Sequence, residues 1–267
     1  MASRTHVGRL LPATHMIFLS KDGQDEYVNM LANSCGTNPV SDFDYAAGSD
    51  PIVLRGILKH KLMKQCWKDN RPFYYIDTGY FGNKQWKTWH RITKNNLVQT
   101  KILPRPGDRW DRFGIKFKKW QHGKNIIVAA PDEKPCKFYG IDLEDWIAQT
   151  VKNLEQFTDR PIIVRRRAPK RIDRIQNDTL AQALQNAHAL VTFNSNAAVE
   201  SVLLGVPVFT LAPNAAEPVG RQDLSLIETP YYPTQDKLYA WASSLAYSQF
   251  HNTELQNGSA MKILLEQ

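Results

Sequence analysis

Cysteine is scarce in this chain of 267 residues. Cys35, Cys66 and Cys136 lie far apart and outside any Cys-x-x-Cys pair, which argues against a disulfide framework or a thiolate zinc site and leaves three core thiols. The seven histidines are equally dispersed, without His-x-His or His-x-x-x-His spacing, so no metal is assigned. One acidic pair, Asp42-Phe-Asp44, has the pattern that holds a divalent ion against a diphosphate, but it comes before most of a nucleotide-binding sheet could be built. Long apolar runs are missing too. No stretch of about 18 apolar residues exists to span a membrane, and the opening MASRTHVGRLLPATH lacks the continuous apolar core of a secretory signal. A soluble, cytoplasmic protein is expected.

What the chain does have is apolar mass and an uneven charge. With 42% hydrophobic residues over 267 positions, it can bury one large core or two small ones, and two are favoured. The net charge is +8, and residues 101–175 hold 18 Lys and Arg against 10 Asp and Glu, so the whole excess sits mid-chain. A localised basic field suits a polyanionic partner or an anionic substrate, and equally a solvated face that keeps the chain in solution.

The most informative stretch is residues 189–211, ALVTFNSNAAVESVLLGVPVFTL. Residues 190–193 are strand formers, Asn194, Ser195 and Asn196 are polar punctuation, 197–204 have helical composition, and 205–211 read as another buried strand, which together make a βαβ unit. Ser195 or Asn196 can cap the helix start, Gly205 suits the position past its end, and Pro207 is tolerated where a strand begins. A tight polar turn at the carboxyl end of a parallel strand presents free N–H groups and the positive end of a helix dipole, which attract phosphate. Glu200, about one turn inside that helix, can accept hydrogen bonds from ribose hydroxyls or simply complement the dipole on an exposed face.

Upstream, residues 16–19, 51–54 and 73–76 read as strands, with helices over 25–32 and 58–69 (LKHKLMKQCWKD). Asp77 follows the third strand and precedes a glycine turn, the place where open α/β sheets put catalytic groups, so it is a candidate general base or else an Asp that caps its own turn. Residues 84–99 set Trp86, Trp89 and His90 among Lys84, Lys87 and Arg91, a mixture that stacks on bases or sugars while meeting phosphates, or that forms a half-buried strand with basic neighbours. Over 104–112, Asp108 and Asp111 favour a helix start, and Arg109 and Arg112 share one face. Residues 125–130 form a buried strand that opens a second βαβ series, and 142–157 an amphipathic helix. The strand at 161–164 runs into Arg165, Arg166 and Arg167, which face the crevice of the Asn194 loop if the strands are parallel neighbours and can neutralise a diphosphate leaving group, or which form a solvated basic turn. A short helix is expected over 179–187 and closing helices at 236–250 and 253–265.

Residues 195–200 (SNAAVE), followed by Gly205-Val-Pro-Val208, resemble the donor-site segment of glycosyltransferases with two Rossmann-like domains, the GT-B architecture, and the likeness in motif and order covers residues 125–211. The turn Gly79-Tyr80-Phe81 and the closing helix around 241–249 are similar to glycosyltransferase-like proteins of phages and capsule-synthesis loci. The resemblance implies an α/β protein with an acceptor-side domain at 1–122, a donor domain at 123–225, and C-terminal helices at 226–267 that pack back across the cleft. It makes Ser195, Asn196 and Ala197 the phosphate loop with Asn194 beside it, Glu200 the ribose ligand, and Arg165, Arg166 and Arg167 the diphosphate cations. The donor is expected to be a UDP-sugar, with no metal and no cofactor. The His-Pro that usually follows the cationic strand is replaced here by Arg-Ala-Pro.

Asp77, or failing that Asp111, would then deprotonate the acceptor hydroxyl, and Gly79, Tyr80, Trp86, Trp89, Arg109 and Arg112 would meet the acceptor. The basic mid-chain patch with its tryptophans points first to DNA, as a hydroxymethylated base in phage DNA that the enzyme would have to reach or flip. The alternatives are a capsular or surface glycan as acceptor, and a non-catalytic nucleic-acid-binding protein on an α/β scaffold.

Overall fold

The computed structural model describes residues 15–41, 48–57, 60–83, 87–166 and 179–266. Asp42, Asp44, Trp86 and Arg167 lie outside the described residues. The first sheet begins with three short parallel strands, β1 (Ile17–Leu19), β2 (Ile52–Arg55) and β3 (Phe73–Thr78). β4 (Trp89–Lys94) adds to β3 in antiparallel sense. Between the strands run α1 (Glu26–Ser34) and α2 (His60–Lys68). The parallel strands are apolar at nearly every position because both faces are covered. Tyr74 and Ile76 point into a core with Val28 and Leu31 of α1, while Phe73 and Tyr75 point the other way, toward Leu62, Met63 and Cys66 of α2.

The second sheet is wholly parallel. Its elements in chain order are β5 (Asn125–Ala129), α4 (Glu133–Tyr139), α5 (Leu143–Leu154), β6 (Ile162–Arg165), α6 (Leu180–Ala183), β7 (Ala187–Thr192), α7 (Ala197–Leu203) and β8 (Val208–Thr210), after a single turn of helix, α3 (Asp108–Asp111). The spatial order is β6-β5-β7-β8. From β5 the chain goes to one side to make β6, then crosses back to make β7 on the other side, so the order reverses between β5 and β7. In open α/β sheets that reversal leaves a crevice at the carboxyl ends, where ligands bind. Tight turns hold the layers close. Gly205 has φ +76°, and a Cβ there would stand 2.2 Å from the Lys119 carbonyl oxygen, so only glycine fits between α7 and that backbone.

A third helical layer ties the sheets together. α8 (Gln235–Ala246) buries Trp241, whose Nε1 donates to the Ala215 carbonyl at 2.7 Å. Its core includes Ile127 and Leu190 of the second sheet and also Tyr80, Phe81 and Trp110 from the segments that follow β3 and β4. The chain then re-enters the first sheet as β9 (Gln249–His251), antiparallel to β4, and ends in α9 (Asn252–Gln256) and α10 (Ser259–Leu265). The expected helix over 236–250 therefore stops at Ala246, and the one over 253–265 is two helices parted at Gly258, which has φ +80°. Leu255, Met261 and Leu264 of these last helices complete the core on the α1 face of the first sheet. Among the described residues no helix is long and apolar enough to cross a membrane.

Candidate active site

The loop between β7 and α7 lies at the crevice between β5 and β7. Ser195 Oγ accepts the Ala197 N–H at 3.2 Å and caps the helix, while the N–H groups of Ala198 and Val199 are taken by the carbonyls of Ser195 and Asn196. The donors left over are one step earlier: the N–H groups of Asn194, Ser195 and Asn196 have no hydrogen-bond partner among the described residues. Successive free amides of this kind form a concave anion site. Asn196 stands at the N-cap position, but its side chain makes no capping bond. Its side chain reaches across to the first sheet and donates to the Tyr80 carbonyl at 2.8 Å, with the Gly79 carbonyl at 3.5 Å, so it straps the loop to the turn after β3.

Glu200 sits in the first turn of α7 as an exposed residue. The protein around it raises its carboxyl above the usual range, and the charge of Arg165 pulls in the opposite direction. Arg165 is the last residue of β6, opposite Ala129 of β5, so a carboxylate and a guanidinium influence each other across the mouth of the crevice. Arg166 is turned elsewhere: both of its Nη atoms bind Glu144 of α5, at 2.7 and 2.5 Å. That exposed fork occupies the guanidinium expected to meet a diphosphate.

Asp77 is not beyond β3 but inside it, paired in register with Arg91 of β4. Its Oδ2 accepts the Tyr75 hydroxyl and Arg91 Nη2, both at 2.9 Å, and its Oδ1 accepts the Thr78 N–H at 2.7 Å. Burial alone would raise its pKa, but Arg91 and those two hydrogen bonds outweigh it and hold the group below the usual carboxylate range. A carboxylate so engaged is a weak proton acceptor, which disfavours the role of general base. Asp111, the second candidate, is exposed on α3 and accepts the Tyr239 hydroxyl at 3.0 and 3.1 Å. It borders a shallow groove of about 430 Å³ between Lys116 and Tyr239 rather than the crevice.

The residues expected to meet an acceptor scatter. Gly79 and Tyr80 form the turn that Asn196 reaches; a Cβ on Gly79 would press at 3.0 Å on Gln249 and Trp89, and Tyr80 is buried, its hydroxyl accepting the Gln99 N–H at 3.0 Å. Trp89 is half-buried against Phe113 and His251, at 4.5 and 5.2 Å between ring centroids. Arg109 is a buried structural node that donates to the carbonyls of Ala246 and Gln249 and, through both Nη atoms, to Glu254. Arg112 pairs on the surface with Asp108. Trp110 is 4% exposed. Trp110 is thus in the core, and Trp89 and Trp120 are half-buried with their rings packed on Phe113, His251 and Tyr232, so the described tryptophans of this region offer no open stacking platform, and the main support for DNA as acceptor is gone.

Sequence reasoning passed over a cavity of about 360 Å³ between the two sheets. Lys64 and Trp67 of α2, Leu97 and Thr100 of the loop after β4, and Tyr139 and Pro213 from the second sheet's side all line it. The Tyr139 ring lies 5.0 Å from that of Phe193, the residue just before Asn194. The cavity thus adjoins the anion loop. Exposed Trp67 in a basic helix was the one available signal, since tryptophan is seldom left on a surface without use.

Parallel β-strands, covering helices and a polar loop-to-helix turn at the switch point define a Rossmann-like fold of the kind found in glycosyltransferases. The chain is similar in structure to the Thermosulfurimonas dismutans KpsC beta Kdo 2,4 transferase, with a TM-score of 0.50 and 12% identity over 85% of this chain and 90% of that one. The KpsC beta Kdo 2,7 transferase of the same organism gives a TM-score of 0.46 and 12% identity over 79% of this chain and 86% of that one. At 12% identity the first of these likenesses shows the fold alone. No protein-family model and no curated protein sequence matches the chain.

Proposed function

We propose that this protein is a glycosyltransferase that moves a sugar from a nucleotide donor onto a hydroxyl of a capsular or surface glycan. The observation that supports this most is the set of three amides at Asn194, Ser195 and Asn196 without a partner among the described residues, with Glu200 and Arg165 beside them, at the switch point of a fold shared with a Kdo transferase. In this reading the cleft between the sheets is of GT-B type. Residues 1–122 furnish the acceptor side and 123–225 the donor side.

The donor's diphosphate would lie on the free amides with Arg165 as its countercharge, which stabilises the departing nucleotide. Glu200 would accept hydrogen bonds from the ribose hydroxyls. Asp77 stays ionised, and its Oδ2 is near one end of the turn that Asn196 reaches. We assign it the stabilisation of positive charge that develops at the anomeric carbon as the leaving group departs, a task that suits a low-pKa carboxylate better than proton removal does.

Calorimetric titration with a panel of nucleoside diphosphates and nucleotide sugars, UDP first, tests the donor half. Binding weakened about tenfold or more in Glu200→Ala is expected, the scale of lost hydrogen bonds to a charged group. Binding equal in the variant, or no nucleotide bound by the folded protein, rules the reading out. With a competent acceptor, Asp77→Asn should abolish turnover while donor affinity stays nearly intact.

A further inference from the structure

Resting on that reading, we propose that the cavity beside α2 is the acceptor subsite and that it selects a sugar bearing an acid group. Its position comes first. One wall, Tyr139, packs its ring 5.0 Å from that of Phe193, the residue next to Asn194 of the donor loop. The opposite wall, Leu97, gives its carbonyl to Arg91 Nε at 3.1 Å, and the same guanidinium holds Asp77. A sugar in the cavity is therefore within reach of both the loop that would hold the donor and the carboxylate beside the reacting carbon.

The walls are fixed before any ligand arrives. Trp67 Nε1 donates to the Asn95 carbonyl at 2.8 Å, Thr93 Oγ1 to the Asn96 carbonyl at 2.5 Å, and the Gln99 N–H to the Tyr80 hydroxyl at 3.0 Å. Three side chains, from a helix, a strand and the turn after β3, thus pin a loop that has no regular structure of its own, so little ordering entropy is left to lose on binding. The volume, about 360 Å³, is at the small end of ligand sites, which suits a terminal sugar and excludes a long glycan segment.

The chemistry of the rim gives the selectivity. Trp67 is 40% exposed with its ring held in place by Asn95, and such an indole face covers the C–H face of a pyranose. Lys64, one turn earlier on the same helix, spends one weak donor on the Phe138 carbonyl at 3.4 Å; an ammonium has three. α2 carries Lys61, Lys64 and Lys68 and no acid between His60 and Lys68. An anionic group next to the stacked ring is the complement of that arrangement, whereas a neutral sugar leaves the lysine unmatched.

The test is ¹H–¹⁵N NMR titration of the full chain with glucuronate, N-acetylneuraminate and glucose, with UDP titrated into the same samples. The expected result is a shift of the Trp67 indole N–H by at least one of the acid sugars, with glucose at least about tenfold weaker. Lys64→Gln should remove that preference, and Trp67→Ala should abolish sugar binding, both with UDP shifts at Ser195 unchanged. Nucleotide binding with no acid-sugar shift at Trp67, or equal binding of glucose, or an acid preference that survives Lys64→Gln, overturns the subsite alone. Loss of nucleotide binding in the wild type overturns the transferase reading, and the indole shift is then read independently.

Discussion

Replacing Arg109 by Met separates a structural role from a ligand-binding one. The arginine side chain is 9% exposed and its partner Glu254 is 19% exposed. Met keeps most of the stem's volume but removes every donor, leaving the carbonyls of Ala246 and Gln249 and the carboxylate of Glu254 without their guanidinium. Removing one partner of a buried pair costs about 3–5 kcal/mol. Glu254 keeps the His251 N–H at 2.8 Å and some water, which places the expected loss near the lower figure. For a chain of this size, about 3 kcal/mol corresponds to a fall in Tm of roughly 6–12 °C. Thermal unfolding followed by circular dichroism gives the number, and hydrogen exchange should show residues 246–256 as the part most loosened. Arg109→Lys keeps the charge but not the fork and should fall in between. A Tm within about 2 °C of wild type, together with a raised acceptor KM, would refute the structural account and return Arg109 to the acceptor surface.

Two more perturbations probe the frame around the site. Gly205→Ala places a Cβ against the Lys119 carbonyl and a non-glycine residue at positive φ, so a loss of about 2–4 kcal/mol is expected in urea unfolding; a change under about 0.5 kcal/mol would show that the backbone yields there freely. Buried His90 titrates at about 4, lowered by desolvation and by the charge of Arg55, whereas an unfolded histidine titrates near 6.5. Between those values the unfolded chain binds the extra proton. Stability from this group is therefore complete above about pH 6.5 and declines as pH falls toward 4. His90→Gln should flatten that part of the stability–pH curve, and an unchanged slope would remove His90 as its cause.

The second sheet was legible because its strands are continuous apolar runs bounded by turn residues, and the β7–α7–β8 unit could be read almost residue by residue. The site was legible only where local chemistry fixes it. Glu200 and the Asn194–Asn196 turn follow from a strand, a loop and a helix in sequence, but the second role of Asn196 depends on a carbonyl more than a hundred residues away. Three residues of β9 are too few to show a period, and α4 was hidden by Pro135, which is tolerated because it lies in the helix's first turn. Arg109 read as surface because charged residues are rarely buried unless paired, and its partner Glu254 stands far along the chain. The cavity was invisible for a related reason: its walls come from four separate segments, none of which is distinctive by itself.

β9 has a temporal consequence. Its Gln249 accepts the N–H groups of Tyr80 and Phe81 through Oε1 and returns Nε2 to the Phe81 carbonyl, so the turn that Asn196 grips takes its shape from a segment synthesised 168 residues after Phe81. At about 5–20 residues per second, on the order of 10–30 s pass between the emergence of Phe81 and that of Gln249. Throughout that interval β4 waits with an open edge. A ribosome that stalls short of residue 249 would release a chain whose second sheet is already complete while the turn at Gly79–Phe81 still lacks the side chain that shapes it.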